Sequence, residues 1–254
     1  MIELLLPEHV TLGAAGILVF ASFFTSALTA AAGIGGGLLM LAIMIYLLPI
    51  GALIPVHGLV QLGSNASRTW VQRAHINWRI AFIFLIGSTI GALLGVLLAV
   101  QIPEGYLLTF LGLFVLIMVW FKLPALENAS PGFVGLGGLG TTFVSMFVGA
   151  TGPLVAVFLK NLFTKHRELV STHAATMTAQ HGIKIVAFIL AGFAFYEWLP
   201  LVAAIIASGF LGVQAGTRLM NTLSENALQF LFKTTLTLVA LDLVRQGLNI
   251  PLIP

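Results

Sequence analysis

The chain has 254 residues, of which 59% are hydrophobic and only 7% are charged, with a formal net charge of +3. Soluble domains carry about 25% charged residues, so this chain has too few polar groups to cover a water-exposed globule. It contains no cysteine, which excludes disulfides, thiolate chemistry and Cys-based metal sites. Its lysines and arginines form no basic patch, which argues against a nucleic-acid partner. The composition therefore predicts an integral membrane protein in a lipid bilayer.

Ten apolar segments follow one another along the chain, separated by short polar breaks. The first five are predicted at residues 12–32, 36–48, 53–70, 79–100 and 105–121. The second five are predicted at residues 132–149, 153–163, 170–192, 197–217 and 225–244. A straight crossing takes about 20 residues, so the runs at 36–48 and 153–163 are too short for one. Each follows a glycine-rich break and is predicted to be a half-helix.

The cations at segment ends predict the orientation in the membrane. With the N-terminus outside, most of them lie inside, namely Arg68, Arg73, Arg79, Lys122, Lys160, Lys165, Arg167 and Arg218. Only Arg245 then lies outside, which agrees with the positive-inside rule. We therefore expect the two termini on opposite sides of a bacterial cytoplasmic, or inner, membrane.

An internal repeat relates the two halves of the chain. A shift of 116 residues places Gly33–Leu38 on Gly149–Leu154, His57 on His173 and Arg68 on Lys184. Farther along, a shift of 121 residues places Gly91 on Gly212, Gly95 on Gly216 and Glu104 on Glu225. Each half holds a glycine-broken helix pair and three full spans, so the second half enters from the opposite face. The predicted fold is all-α and polytopic, with two inverted-topology repeats at residues 1–124 and 125–254.

The glycine-rich breaks are predicted to start new helices inside the membrane. The four glycines within Gly33–Gly37 cannot continue a stiff helix. Pro153 suits a first helical turn, because its missing N–H would be unpaired there anyway. A helix N-terminus exposes unpaired N–H groups and binds anions. Because unpaired backbone is costly in hydrocarbon, the breaks imply a lined cavity that favours negative charge. Gly91, Gly95, Gly212 and Gly216 are instead expected to permit close helix packing.

Two of the long segments carry a polar stripe on one helical face. In the first half it consists of His57, Gln61, Ser64, Asn65 and Arg68, within an arc of about 100°. In the second half it consists of His173, Gln180, His181 and Lys184. Polar groups inside a membrane usually face a cavity or one another. Other readings stay open: Arg68 snorkels to the surface, Ser64 bonds to its own helix, and His57 and His173 are structural partners.

The chain resembles the TauE/SafE family, also called the sulfite exporter or toluene sulfonate uptake permease family. The resemblance rests on AAGIGGGLL with the short apolar segment after it, on INWR, and on GATGPLVA in the second half. It implies a transporter of small sulfur-containing or organic anions, such as sulfite and sulfonates. The chain departs from the family at Leu39–Ala42, where many relatives have a proline.

These features predict a secondary transporter of sulfite, sulfonates or sulfur-containing carboxylates. Access would alternate around a midplane site between the half-helix N-termini. The expected binding residues are Gly35, Gly36, Gly37, His57, Gln61, Ser64, Asn65, Arg68, Thr151, Gly152, His173, Gln180, His181 and Lys184. Among them, the amide and hydroxyl groups would donate hydrogen bonds, Lys184 and Arg68 would supply charge, and the histidines would carry protons.

No catalytic residue, metal ion or cofactor is predicted. The polar stripes hold no Asp or Glu and no nucleophile–base pair, so we do not expect an enzyme. The expected partners are a small anion and the lipid bilayer, while a coupled proton or sodium ion and an oligomeric state stay open. A channel-like small-anion facilitator and an intramembrane enzyme remain as alternative functions.

Overall fold

A computed structural model of the protein describes residues 6–32, 36–121, 130–219 and 225–251. Within these ranges the chain forms ten α-helices and no strand. The helices are α1 (Leu12–Ala32), α2 (Gly36–Met44), α3 (Ile50–Val71), α4 (Trp78–Ala99), α5 (Glu104–Trp120), α6 (Pro131–Val148), α7 (Gly152–Leu159), α8 (His166–Leu190), α9 (Leu199–Leu219) and α10 (Glu225–Gly247). The predicted order of ten helical segments is confirmed.

The two short helices end earlier than the apolar pattern suggested. After Met44 the backbone tightens into turns, since the N–H of Leu47 bonds to the carbonyl of Met44 at 3.0 Å. After Leu159 the chain continues as a 3₁₀ turn, Lys160–Leu162. Hydropathy does not register either change, because the side chains stay apolar while the hydrogen-bond pattern changes. The half-helices α2 and α7 therefore have only 9 and 8 residues.

The outer faces of the helices are apolar. By length and composition, two of the described helical stretches could cross a membrane, Trp78–Ala99 and Phe195–Gly216, and several shorter helices are also apolar. On α4, Phe82 is 63% exposed and Leu97 is 62% exposed. Soluble monomers rarely expose apolar patches larger than a few hundred Å². These faces fit lipid, and the predicted class of all-α membrane protein is confirmed.

The described chain folds as two compact units that alternate along the sequence. The first unit comprises Met1–Val60, Pro103–Phe121 and Ala194–Pro254. The second comprises Gln61–Ile102 and Lys122–Phe193, so the boundary between the units falls within α3. The predicted repeats at 1–124 and 125–254 are a different division, based on sequence similarity. That division, and the inverted relation of its halves, stay predictions.

In the first unit, α1 packs closely along α9. A Cβ atom added at Gly212 would collide with the carbonyl oxygen of Phe23 on α1. One added at Gly216 would collide with the backbone of Ala27, about one turn farther along α1. Ser208 Oγ donates across this contact to the carbonyl oxygen of Val19 at 2.6 Å. Small residues let the two backbones approach, as in many membrane helix pairs. The predicted packing role of both glycines is confirmed.

In the second unit, α4 packs against α6 in the same manner. A Cβ atom at Gly91 would collide with the carbonyl oxygen of Leu139, and one at Gly95 would lie 2.6 Å from Cγ of Met146. Under the sequence repeat, α4 corresponds to α9 and α6 corresponds to α1. The same kind of helix pair thus occurs in each unit, formed each time by helices from both halves of the chain.

A polar network ties the end of α10 to the turn after α2, within the first unit. Tyr46 Oη donates to Oδ2 of Asp242 at 2.8 Å, and Arg245 Nη2 lies 2.8 Å from Oδ1 of the same carboxylate. Gln246 Nε2 also donates to Oδ2, at 2.7 Å. Both carboxylate oxygens are therefore satisfied by neighbouring donors. We assign Asp242 to the stability of this corner of the fold.

We expect Tyr46→Phe to lower the free energy of unfolding by about 1 kcal/mol, because it removes one hydrogen bond to a carboxylate, and because Tyr46 is 51% exposed, water weakens that bond below the usual value for a charged partner. Thermal unfolding of the purified protein in detergent measures the change. Tyr106→Phe is the matched control, since the Tyr106 side chain is 67% exposed and has no such bond among the described residues. Equal losses in the two variants would contradict the assignment.

Candidate functional site

The second glycine-rich break separates α6 from α7 in the second unit. α6 ends at Val148, and Gly149 follows with a φ of 77°, a conformation that favours glycine. α7 begins at Gly152 with Pro153 in its first turn. The first N–H groups of a helix have no partner within it. The predicted start of a new half-helix is confirmed here.

The first break lies in the first unit and is only partly described. Gly33 and Gly35 lie outside the described residues, so the expected role of Gly35 in binding stays a prediction. Gly36 and Gly37 form the first turn of α2, and Gly36 is buried. The prediction that a half-helix begins at this break agrees with that position.

Side chains from one face of α8 contact the second break. His173 Nε2 lies 3.0 Å from the carbonyl oxygen of Gly152. Gln180 Nε2 donates to Oγ1 of Thr151 at 2.5 Å, and both side chains are fully buried. The offsets of 0, 7 and 11 from His173 to Gln180 and Lys184 place all three on one face of α8. The helix face predicted as a polar stripe therefore meets the break.

Lys184 caps the C-terminal end of α6. Its Nζ donates to the carbonyl oxygens of Ser145 at 3.1 Å and Gly149 at 3.3 Å, and the side chain is 0% exposed. Positive charge is favourable at this end of a helix, where carbonyl groups lack partners. The carbonyl of Ser145 also accepts from the N–H of Gly149 at 3.0 Å, so the contact with Lys184 matters most for the carbonyl of Gly149, which would otherwise be unpaired at the interruption of the helix.

The ammonium group of Lys184 has no acidic partner in the described part of its unit. Within Gln61–Ile102 and residues 130–193 the only acid is Glu168. Glu168 lies in the first turn of α8 and forms an ion pair with Lys165 at 3.5 Å. A buried charge is costly unless it is paired. The second unit therefore contains a buried lysine without a protein counter-charge among its described residues.

One buried oxygen beside α7 also lacks a partner. Gln180 Oε1 makes no hydrogen bond among the described residues, although its amide nitrogen contacts Thr151. The Thr151 side chain occupies the N-cap position of α7 but caps none of its N–H groups. Buried polar atoms are almost always hydrogen-bonded, so each exception needs an explanation. The start of α7 thus has a buried acceptor without a hydrogen bond, Gln180 Oε1, and helix N–H groups that the Thr151 side chain does not cap.

A histidine contacts the first turn of each half-helix. His57 Nε2 lies 3.0 Å from the carbonyl oxygen of Gly37, and His173 Nε2 lies at the same distance from that of Gly152. A carbonyl oxygen only accepts, so Nε2 bears the proton in both rings. These contacts give both histidines a structural partner, as one of the open readings stated. Their part in binding a substrate stays a prediction.

The polar stripe of α3 bonds mainly to itself. Asn65 is buried, and its Nδ2 donates to the carbonyl of Gln61 at 2.8 Å. Arg68 Nη2 donates to Oδ1 of Asn65 at 2.6 Å, and Arg68 as a residue is exposed. Ser64 is exposed as well. The structure thus brings Asn65 and Arg68 together, but it gives neither a contact with the α7 break.

The family model described as Sulfite exporter TauE/SafE matches residues 18–243. The chain belongs to the TauE/SafE family. The probable inner membrane transporter protein TsaS of Comamonas testosteroni is 30% identical over 163 residues, which are 61% of this chain and 66% of that relative. The match thus spans just under two thirds of the relative's length, and no solved structure matches the chain.

This TauE/SafE protein also has a buried polar cluster next to Lys184 that was not predicted from the sequence. Thr142 Oγ1 donates to Oγ of Ser88 at 2.9 Å, and Ser145 Oγ donates to the carbonyl of Thr142 at 2.8 Å. All three residues are fully buried. The available signal was the spacing of Thr142 and Ser145, which places two hydroxyls on one face of an apolar helix.

Proposed function

We propose that this protein is a secondary transporter of small anions, with sulfite, sulfonates or sulfur-containing carboxylates as substrates. The anion would bind at the N-terminus of α7 in the second unit. The observation that carries the proposal is the buried α6–α7 break, where Gln180 Oε1 lacks a partner beside Thr151 and Lys184 lacks a counter-charge. Membership of the TauE/SafE family supports a membrane transporter, and the similarity to the probable inner membrane transporter protein TsaS supports an inner membrane.

The donors at the start of α7 suit an oxyanion. Gly152 and Leu154 offer backbone N–H groups at the positive end of the helix dipole, whereas Pro153 has none. The hydroxyl of Thr151 and the amide of Gln180 add side-chain donors. Lys184 lies one helical turn beyond Gln180 and supplies positive charge. Sulfite and sulfonates present three oxygens to these donors, which fits several donors around one small group.

Arg68, His57 and His173 would act without enclosing the anion. Arg68 is exposed and bonded to Asn65, so it would attract the anion rather than enclose it. His57 and His173 would keep the first turns of α2 and α7 in place. The site would open to one side of the membrane at a time, with the N-terminus and C-terminus on opposite sides.

Flux into liposomes tests the function. We expect saturable uptake of sulfite and methanesulfonate that is accelerated by substrate on the far side. Flux that stays linear at millimolar concentrations and shows no such acceleration would replace the transporter with a channel-like facilitator. A thermal-shift screen with the same anions gives an independent reading, because a bound ligand raises apparent stability.

The double variant Thr151→Val with Gln180→Met tests the site. It removes a hydroxyl and an amide at constant size, so we expect the KM for methanesulfonate to rise about 10-fold to 100-fold. The matched control is Thr89→Val with Gln214→Met, because the Thr89 hydroxyl bonds only within α4 and Gln214 is exposed. An unchanged KM in Thr151→Val with Gln180→Met would show that the anion does not bind at the start of α7.

A further inference from the structure

We propose that Lys184 carries one proton across the membrane with each anion, so that transport is coupled to protons and independent of sodium ions. This inference rests on the proposed function, because it requires an anion at the start of α7. It concerns the part of the mechanism that the sequence left open.

The hydrogen bonds of Lys184 fit a neutral amine as well as they fit an ammonium group. Nζ has two acceptors in the described residues, the carbonyl oxygens of Ser145 and Gly149. A neutral amine has two N–H donors and satisfies both carbonyls, whereas an ammonium group has a third donor. That third N–H has no acceptor in the described protein. It can be added and removed without disturbing the cap on α6.

The charge balance links the third proton to the substrate. The Lys184 side chain is fully buried, and the described residues of its unit place no carboxylate near it. Desolvation disfavours an isolated buried ammonium group, and a nearby anion restores the balance. Gln180 lies one helical turn from Lys184, so an anion at Thr151 would lie within about 10 Å of Nζ. Anion and proton therefore favour each other's binding.

The remaining titratable groups around Lys184 are less suited to this role. On α8 they are His173, whose Nε2 proton bonds to the carbonyl of Gly152, and the buried His181. Arg68 on α3 bonds to Asn65, and arginine does not deprotonate in proteins. α6 and α7 carry no titratable side chain, and α4 has only Arg79 at its exposed start. His173 contacts the carbonyl at the start of α7, whereas Lys184 contacts the carbonyls at the end of α6 and is the group to which we assign the proton.

The same contacts argue against sodium. Transporters that use sodium coordinate it with backbone carbonyls at the C-terminal ends of broken helices. Here the carbonyls of Ser145 and Gly149 at the end of α6 already accept from Lys184 Nζ. The amine occupies the position that a sodium ion would need at this break.

The transport step balances in atoms and charge. On one side the neutral amine takes up a proton while the anion binds, and one N–H bond forms. On the other side that bond breaks, the proton leaves for water and the anion follows. A monovalent anion moves together with one proton, so no net charge crosses the membrane.

Methanesulfonate flux into liposomes that contain a pH-sensitive dye tests the inference. This ion stays monovalent throughout the working pH range, so a proton signal cannot come from its free acid crossing the lipid. We expect one proton per anion, no change when sodium replaces choline, and no change under an imposed potassium diffusion potential. Flux driven by sodium or by the potential would overturn the inference.

The variant Lys184→Arg separates the effect of proton release from the effect of positive charge. Arginine keeps the positive charge and the donors but does not release a proton, so we expect the ratio of protons to anions to fall at least tenfold and the flux to follow the potential. His181→Gln is the comparison, and its ratio should stay at one. A ratio of one in Lys184→Arg, or a lost ratio in His181→Gln, would overturn the inference. If Lys184→Arg fails to fold, the wild-type measurements of protons per anion, sodium dependence and dependence on the potential test the inference.

The outcomes separate the two proposals. If wild-type protein moves methanesulfonate without protons, only the assignment of Lys184 fails. If wild-type protein moves and binds none of the tested anions, the proposed function fails and the inference fails with it.

Discussion

Lys184→Met is expected to raise the KM for methanesulfonate about 10-fold to 150-fold. The substitution keeps the apolar stem but removes the charged group, and a hydrogen bond to a charged group contributes about 1.5–3 kcal/mol. The same change leaves the carbonyl of Gly149 without its Lys184 donor, whereas the carbonyl of Ser145 still accepts from the N–H of Gly149, so the C-terminal end of α6 would be less completely capped. Initial uptake rates over a range of methanesulfonate concentrations measure the KM, and size-exclusion chromatography checks the fold.

Lys165→Met is the matched control for this experiment. Lys165 precedes the same helix, its side chain is 77% exposed, and its ion pair with Glu168 spans 3.5 Å. Exposed ion pairs contribute at most about 1 kcal/mol, so the KM should stay within about twofold of the wild-type value. A KM that changes in Lys165→Met but not in Lys184→Met would show that surface charge, rather than the α6–α7 break, governs uptake.

Gly91→Ala is expected to lower the free energy of unfolding by about 3 kcal/mol, at the upper end of overpacking effects. The added methyl group would collide with the carbonyl oxygen of Leu139, which belongs to backbone and cannot rotate away. The helices α4 and α6 would have to separate along their contact. Because α6 leads into the break at Gly149, we also expect reduced transport at temperatures where the variant remains folded.

Gly140→Ala provides the control on the partner helix. A Cβ atom at Gly140 would have no atom within 4 Å, so the variant gains helix propensity of up to about 1 kcal/mol and should be at least as stable as wild type. Gly212→Ala and Gly16→Ala form an equivalent pair on α9 and α1, because Gly212 faces Phe23 and Gly16 has no neighbour within 4 Å. If both members of a pair behave alike, the close approach of the backbones does not limit stability.

The helices could be predicted closely because lipid and backbone chemistry act locally. Apolar runs of sufficient length, interrupted by glycine and proline, predicted α6 and α7 and the break between them. The ends of α2 and α7 were missed, since the turns after Met44 and Leu159 are made by backbone bonds that hydropathy does not report. The close packing at Gly91 and Gly212 could be predicted from their spacing, because glycine lets the backbones of two membrane helices approach closely.

The candidate site was predicted as a set of residues but not as an arrangement. Helical phasing placed Gln180 and Lys184 on one face, and it matched His57 with His173. It could not show that Lys184 contacts carbonyls 39 and 35 residues away, or that Gln180 bonds to Thr151, which lies 29 residues away. The sequence interpretation gave Lys184 a charge at the site or a role as a buried counter-charge, whereas the structure adds a cap on α6.

The amino-acid sequence by itself determined the membrane environment, the ten helical segments and the polar stripes that we propose meet an anion, because each depends on composition or on spacing within one helix. Tertiary structure decided which of those residues come together. Hydrogen-bond partners such as Lys184 with Ser145 and Gly149 arise only when α8 packs against the end of α6. The identity of each buried group's partner is a property of that packing, and it decides whether a polar side chain stabilises the fold or remains available for a ligand.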